Sequence, residues 1–306
     1  MYRRRLTANW STIAVMACSI LSILLISQSA VAQQGDAERE SITASPSSES
    51  FKINAGDVRR DSMDIINDGD VGYDFAVYAR PYSVSNEQYD PNFSVVRPNT
   101  DLHNWVQFEK ARYRVEPGQK VTVNYTIRVP AGAAPGGHYG VLFAETQQRE
   151  IGSSGVARQK RVGNLMYATV NGTVRNEGRL EGFILPKWQA RPPVVSAARV
   201  SNTGNADFDA TVSTVARDLF GRQKFSYTGD PIVLPETTRR IDMYWKQAPG
   251  FGIFRVSQNV SFLDQKHQNS GFLLIAPLWF VVVALLTLAA GAVYALRSYR
   301  NRKSRR

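Results

Sequence analysis

The sequence has one cysteine in 306 residues, Cys18, and three histidines, His103, His138 and His267. Cys18 lies inside an N-terminal apolar run, so the rest of the chain forms no disulfide and must stand on its packed core. A zinc site or a Cys–His catalytic pair needs more ligands than this inventory supplies. No H-E-x-x-H, G-x-S-x-G, Walker or dinucleotide-binding pattern occurs. The expectation is a binding protein and not an enzyme, with no cofactor and no metal.

A one-sided charge is also missing once the two ends are set aside. The formal net charge is +11, from 37 Lys and Arg against 26 Asp and Glu. Three of those cations are Arg3 to Arg5 and six fall in 297–306, which leaves 28 against 26 for the remainder. That balance supplies no footprint for nucleic acid.

What is present begins with a leader. Arg3 to Arg5 precede an apolar run from Ile13 to Ile26 that closes in Ala30-Val31-Ala32, the pattern of a secretory signal peptide over 1–32. Val15-Met16-Ala17-Cys18 resembles a lipobox, but the run continues past Cys18, where a lipoprotein leader should stop. At the other end, 272–296 is uncharged and, at about 1.5 Å per residue, longer than a ~30 Å hydrocarbon layer, which predicts a transmembrane helix. Trp279 and Tyr294 are placed as interfacial aromatics, with Arg297 and Arg300 at the inner headgroups. The six cations of 297–306 predict a cytoplasmic tail, a single pass through the cell membrane and an extracytoplasmic ectodomain.

Between the ends, 33–50 is polar and reads as a flexible entry segment. After Phe51 period-two alternation dominates, most clearly where Val121, Val123, Tyr125, Ile127 and Val129 alternate with polar residues. Further short strands with turn clusters between them, and the break at Pro186, Pro192 and Pro193, predict an all-β ectodomain. Its division is two tandem immunoglobulin-like β-sandwiches, over 51–178 and 179–268. Three patterns recur in the same order in both halves: Asn67-x-Gly69 and Asn202-x-Gly204, Val115-x-Pro117 and Val233-x-Pro235, Pro135-Gly136 and Pro249-Gly250. One sandwich used twice is the physical reading.

Sugar faces stack on aromatic rings, and Tyr82, Tyr89 and Phe93 sit in a long loop before Trp105. They are candidate ligand contacts, although Trp105 begins a strand pattern and reads first as core. Arg158, Lys160 and Arg161 form a basic stretch in an expected exposed loop and suit an anionic wall polymer. His138, in a proline–glycine turn, reads as an edge residue, and Glu87 and Asp90 as solvated loop acids.

The combination resembles the WxL-interacting proteins, Gram-positive bacterial surface proteins with a signal peptide, two immunoglobulin-like domains, a transmembrane helix and a basic tail. The likeness rests on Ile65-Ile66-Asn67-Asp68-Gly69, Trp105-Val106, Val115-Glu116-Pro117-Gly118-Gln119, Ile127-Arg128-Val129-Pro130-Ala131 and Pro135-Gly136-Gly137-His138-Tyr139-Gly140-Val141-Leu142-Phe143. It covers the first domain best; the second is short, and no WxL or cell-wall sorting motif is present. The resemblance implies that the first domain contacts peptidoglycan and the second another surface protein, as an adhesive or scaffolding protein. The alternative is a membrane-tethered chaperone or assembly factor for surface proteins, since pilus chaperones also use two immunoglobulin-like domains.

Overall fold

The computed structural model describes residues 40–147 and 159–303, with side chains as far as Arg297. The expected leader over 1–32 and Arg158 lie outside the described residues. The first sandwich is built from β1 (Thr43–Ser45), β2 (Ser48–Ile53), β3 (Val58–Ile66), β4 (Tyr73–Pro81), β5 (Ser83–Val84), β6 (Pro91–Asn92), a 3-10 turn (Asp101–Asn104), β7 (Val106–Phe108), β8 (Arg112–Val115), β9 (Lys120–Arg128), β10 (Gly136–Thr146) and β11 (Arg161–Val170). The second uses β12 (Gly178–Ile184), β13 (Trp188–Gln189), β14 (Val194–Asn202), β15 (Phe208–Asp218), β16 (Gln223–Gly229), β17 (Ile232–Val233), β18 (Thr237–Trp245), β19 (Gly252–Phe262) and β20 (Gln265–Ile275). A single helix, α1 (Leu278–Lys303), follows.

The first sandwich packs the sheet β1-β3-β9-β7 on β2-β11-β10-β4-β8, and the second packs β12-β14-β18 on β13-β20-β19-β15-β16, with β17 also on β15. The two are the same immunoglobulin-like design. In each, an early segment feeds both sheets, and its second piece pairs in parallel with the last strand, β2 with β11 and β13 with β20. The alternation read from sequence is the burial pattern of β9, where Val123, Tyr125 and Ile127 are buried and Lys120, Thr122 and Asn124 exposed. Those residues meet Met63, Ile65, Phe75, Leu142 and Met166 in one core.

The repeated Asn-x-Gly motif has one structural job in both halves. Asn67 is fully buried; its amide donates to Val71 O at 2.8 Å and its oxygen accepts from Gly69 N at 2.9 Å. Asn202 repeats this with Ala206 O at 2.8 Å and Gly204 N at 2.9 Å, and adds Val233 O at 2.8 Å. Each side chain satisfies the backbone of a buried turn that no strand partner can reach.

Three expected boundaries move. Residues 43–45 and 48–50, expected to be flexible, are strands held by the backbones of β3 and β11, a support that polar side chains do not advertise. The second sandwich ends at Ile275 and not 268. The apolar run therefore does not enter a helix at Phe272: Leu273 and Ile275 are core residues of β20, with 0% exposure. Hydropathy merges a buried strand with the helix after it, because both are apolar for different reasons. The helix has a 20-residue window, Leu278–Arg297, of mean hydropathy 2.2, long and apolar enough to cross a membrane and not covered by protein. Trp279 and Tyr294 are exposed on it, Arg297 follows, and Arg300 continues the helical backbone.

Candidate functional site

Between β4 and β8 the first sandwich carries 82–111, a segment that opens with the β5–β6 hairpin. Tyr82, 6% exposed, leaves no ring face open to a sugar: it packs edge-on against Tyr167 at 5.9 Å and beside Phe93 at 6.1 Å. Tyr139, Tyr167, Val84 and Leu234 complete this cluster, with Tyr89, Phe93 and Ile232 against it. Leu234 and Ile232 belong to the second sandwich, so the aromatic loop is spent on a joint between domains. Trp105, 5% exposed, is core of the first sandwich, and its ring stands 4.6 Å from that of His138.

Polar groups lock the joint. A turn closed by Tyr89 N donating to Asn86 O at 3.1 Å holds Tyr89 at φ 64° and swings its ring across. The Tyr89 hydroxyl accepts from Leu234 N at 2.8 Å and lies 2.5 Å from Thr237 Oγ1. Because the Thr237 hydroxyl donates to Leu234 O at 2.7 Å, the shared proton is tyrosine's. The Arg239 guanidinium caps the ring at 4.3 Å, and burial raises the tyrosine's pKa. Glu87 is no free loop acid: Arg199 Nε donates to its carboxylate at 2.7 Å, and Arg240 N donates to its carbonyl at 2.7 Å. Asp90 accepts from the Asn86 amide at 2.8 Å within the turn.

On the β10 side, the Tyr139 hydroxyl donates to Asp207 Oδ1 at 2.9 Å and accepts from Asp207 N at 3.1 Å. Burial raises the Asp207 pKa and drives that of Tyr139 far above the ordinary tyrosine value. Gly137 N donates to Asn205 O at 2.7 Å. A Cβ on Gly136, at φ +123°, would fall 2.5 Å from the same oxygen, which is why glycine stands there.

His138 is buried beside this seam and points both ring nitrogens at acceptors, Nδ1 at Asp101 Oδ1 (2.6 Å) and Nε2 at Ala134 O (2.8 Å). Burial works against its charge, but the hydrogen bonds and charge of Asp101 and the Ala134 carbonyl outweigh it, and the pKa is raised. With an acceptor at each nitrogen, the ring is placed to donate from both when it is charged. A proline–glycine turn gives no hint of this, because Asp101 is 37 residues away.

Next to the joint β4, β11 and the 91–103 stretch enclose a groove of about 700 Å³ lined by Arg80, Asn92, Phe93, Ser94, His103 and Arg161 with prolines and Val96, and by no carboxylate among the described residues. Arg161 lies over the Phe143 ring at 4.5 Å and Arg80 over Tyr78 at 5.4 Å, so aromatic floors hold both guanidiniums in place. Among the described residues neither guanidinium forms a salt bridge, although Glu145 stands opposite Arg161 across β10 and β11 with its carboxylate taken by the Tyr78 hydroxyl; guanidiniums held this way suit planar anions such as carboxylates and phosphates. Of the predicted basic stretch, Arg161 therefore reaches a groove, while the Lys160 ammonium donates to the Glu40 carbonyl. Arg80 and His103, which no sequence pattern singled out, join it through strand register, since Arg80 pairs with Val141 on β10.

No family model matches the sequence, and no curated protein matches it. Among solved structures it is similar to a chain of the Salmonella enterica SafA pilin–SafB chaperone complex, at 10% identity and TM-score 0.41 over 77% of this chain and 97% of that one. It is also similar to the E. coli chaperone DraB, at 11% identity and TM-score 0.37 over 76% and 98%. The Pseudomonas aeruginosa CupB2 chaperone matches at 12% identity and TM-score 0.36 over 75% and 98%.

Proposed function

We propose that this chain is an extracytoplasmic binding protein held at a cell membrane by α1, which engages an anionic cell-wall polymer, peptidoglycan foremost, and turns over no substrate. The observation that carries the reading is the groove where Arg80 and Arg161 stand on aromatic rings with no carboxylate in the lining. Peptide carboxylates of the wall match such a pair, and the joint behind it presents the groove at a constant angle. The tail cations of 297–306 support the same orientation, with the groove outside and the C-terminus inside.

A soluble ectodomain for the test must end at Ala276, because a cut at 268 removes Leu273 and Ile275 from the core. Residues 40–276 should sediment with insoluble peptidoglycan in low salt and be released by higher salt. An Arg80→Ala, Arg161→Ala variant should stay in solution. The reading fails if the wild type does not sediment, or if the variant sediments equally.

A second reading, an anchored chaperone or assembly factor for surface proteins, is supported by the edge strand β16, which pairs with β15 on one side and has no strand on its other side among the described residues. An extended client segment could add there by backbone hydrogen bonds. Amide protection of Gln223–Gly229 by a co-purified client, with sedimentation on peptidoglycan absent, would favour it over the first.

A further inference from the structure

We infer that the membrane-proximal end of the second sandwich is a lipid-docking surface that seats the ectodomain on the bilayer around α1. The inference rests on the reading of α1 as a membrane span.

Strand register assembles the surface. Gly252 pairs with Ile275, and Asp218 pairs with Phe254. The tip of the β15–β16 hairpin (219–222), the β18–β19 loop (246–251) and the start of α1 therefore share one end of the sandwich. Only Ala276 and Pro277 separate β20 from the helix, so no linker lifts the domain away. The junction is also braced. The Trp188 indole N–H donates to Ala276 O at 3.1 Å, and Phe251 meets Phe280 of the first helical turn edge-to-face at 4.8 Å.

At this end the domain shows water its most exposed large apolar side chain. Phe220 is 86% exposed, more than Tyr294 of the bare helix at 76%, and Leu219 and Phe251 stand beside it in exposure at 66% and 56%. The tip is not slack. Asp218 Oδ1 accepts from Phe220 N at 3.0 Å and from Arg222 N at 2.9 Å, and Gly221 takes φ +78° to close the turn. A hairpin this well tied, with a Leu-Phe tip, presents those side chains outward by construction.

Charge points to the occupant. Lys187, Arg191, Arg222 and Lys246, one in each loop at this end, are all exposed, and those loops contain no Asp or Glu. The neighbouring acid, Asp218, is taken up by the turn and by Lys224 at 3.5 Å. Apolar tips ringed by cations, level with the first turn of a spanning helix, match the interface of an anionic leaflet, where aromatic rings enter the headgroup layer and cations meet phosphates. Because α1 has already brought the bilayer to this end, docking costs little further entropy. With the joint locked, it also sets the height and direction of the groove above the membrane.

The chain's single cysteine makes the test direct. In a Cys18→Ser full-length chain reconstituted into vesicles, one environment-sensitive fluorophore is attached through Phe220→Cys, or through Asp264→Cys at the opposite end of β19. Quenching by lipids labelled just below the headgroups should be strong at 220 and weak at 264. Arg222→Glu with Lys246→Glu should reduce the signal at 220 in vesicles containing phosphatidylglycerol, while α1 still resists alkaline extraction. If the chain resists extraction but 220 is as open to water as 264, docking is overturned and the span stands. If 220 is shielded from water but not quenched by lipid, the tip meets protein and docking is again overturned. If the chain is extracted, the span reading fails and the inference with it.

Discussion

Strands β10 and β19 occupy equivalent places in the two sandwiches, yet they are buried differently. In β19 only alternate residues, Phe254, Val256, Gln258, Val260 and Phe262, are buried. In β10 every residue from Gly136 to Ala144 is buried. The cause is the segment between the next two strands. It spans 82–111 in the first sandwich and only 219–231 in the second. The longer piece folds back over the outer face of β10 with Tyr82, Phe93 and the 3-10 turn, and it carries Tyr89 and Glu87 across to the second domain. The same scaffold thus has one copy covered and coupled and the other left open on its outer face. An insertion that a sequence presents as a recognition loop has become a joint.

The sharpest way to break this comparison is to unfold one copy alone. Val123→Asp in the first core, or Met243→Asp in the second, buries an unpaired charge and should cost on the order of 4 kcal/mol or more. If the joint couples the copies, Val123→Asp also lowers amide protection in β15 and β19, since Leu234 and Asp207 lose their cover. Unchanged exchange there would show two independent domains. The same change at Thr122 or Asn124, on the open face, should cost little.

Next in size are the twin asparagines. Asn67→Ala strands two backbone groups and should destabilise by roughly 2–4 kcal/mol; Asn202→Ala strands a third, Val233 O, and should cost more. Denaturant midpoints of the two variants decide it, and the reverse order would mean that the clamps are not equivalent. Smaller still, Tyr89→Phe keeps the ring under Arg239 but leaves Leu234 N without its acceptor. A loss of about 1–2 kcal/mol is expected, with a wider spread of interdomain distances by pulsed spin-label spectroscopy. An unchanged spread would show that the aromatic cluster alone holds the angle.

The least effect is one of pH. His138 has a raised pKa in the folded chain, so the stability it adds is complete below the unfolded histidine value near 6.5 and is lost as pH rises through the folded value. His138→Gln should remove that slope from the melting profile. β19 has no equivalent histidine, so unfolding that starts in the second sandwich should lack the slope in both proteins. An identical profile in variant and wild type would show that the ring is neutral.

The alternating strand through Val121 to Ile127, the division into two sandwiches and the twin Asn-x-Gly turns were all legible in the sequence, because the alternation of a half-buried strand and the chemistry of a turn are written in neighbouring residues. So was a helix able to cross a membrane, since a long uncharged and mostly apolar run needs no partner to be recognised. What only the tertiary structure decided is where chain segments far apart meet. Residues 43–53 become strands because β3 and β11 lend them a backbone. Phe272 to Ile275 form the end of a strand and not the start of a helix because β19 lies alongside, with Leu273 and Ile275 in the core. Tyr82 and Tyr89 turn inward because Leu234 and Thr237 stand opposite, and Arg80 and Arg161 share a groove because β10 lies between their strands. Each of these depends on which backbone ends up facing a residue, and a side chain carries no local mark of a partner a hundred residues away.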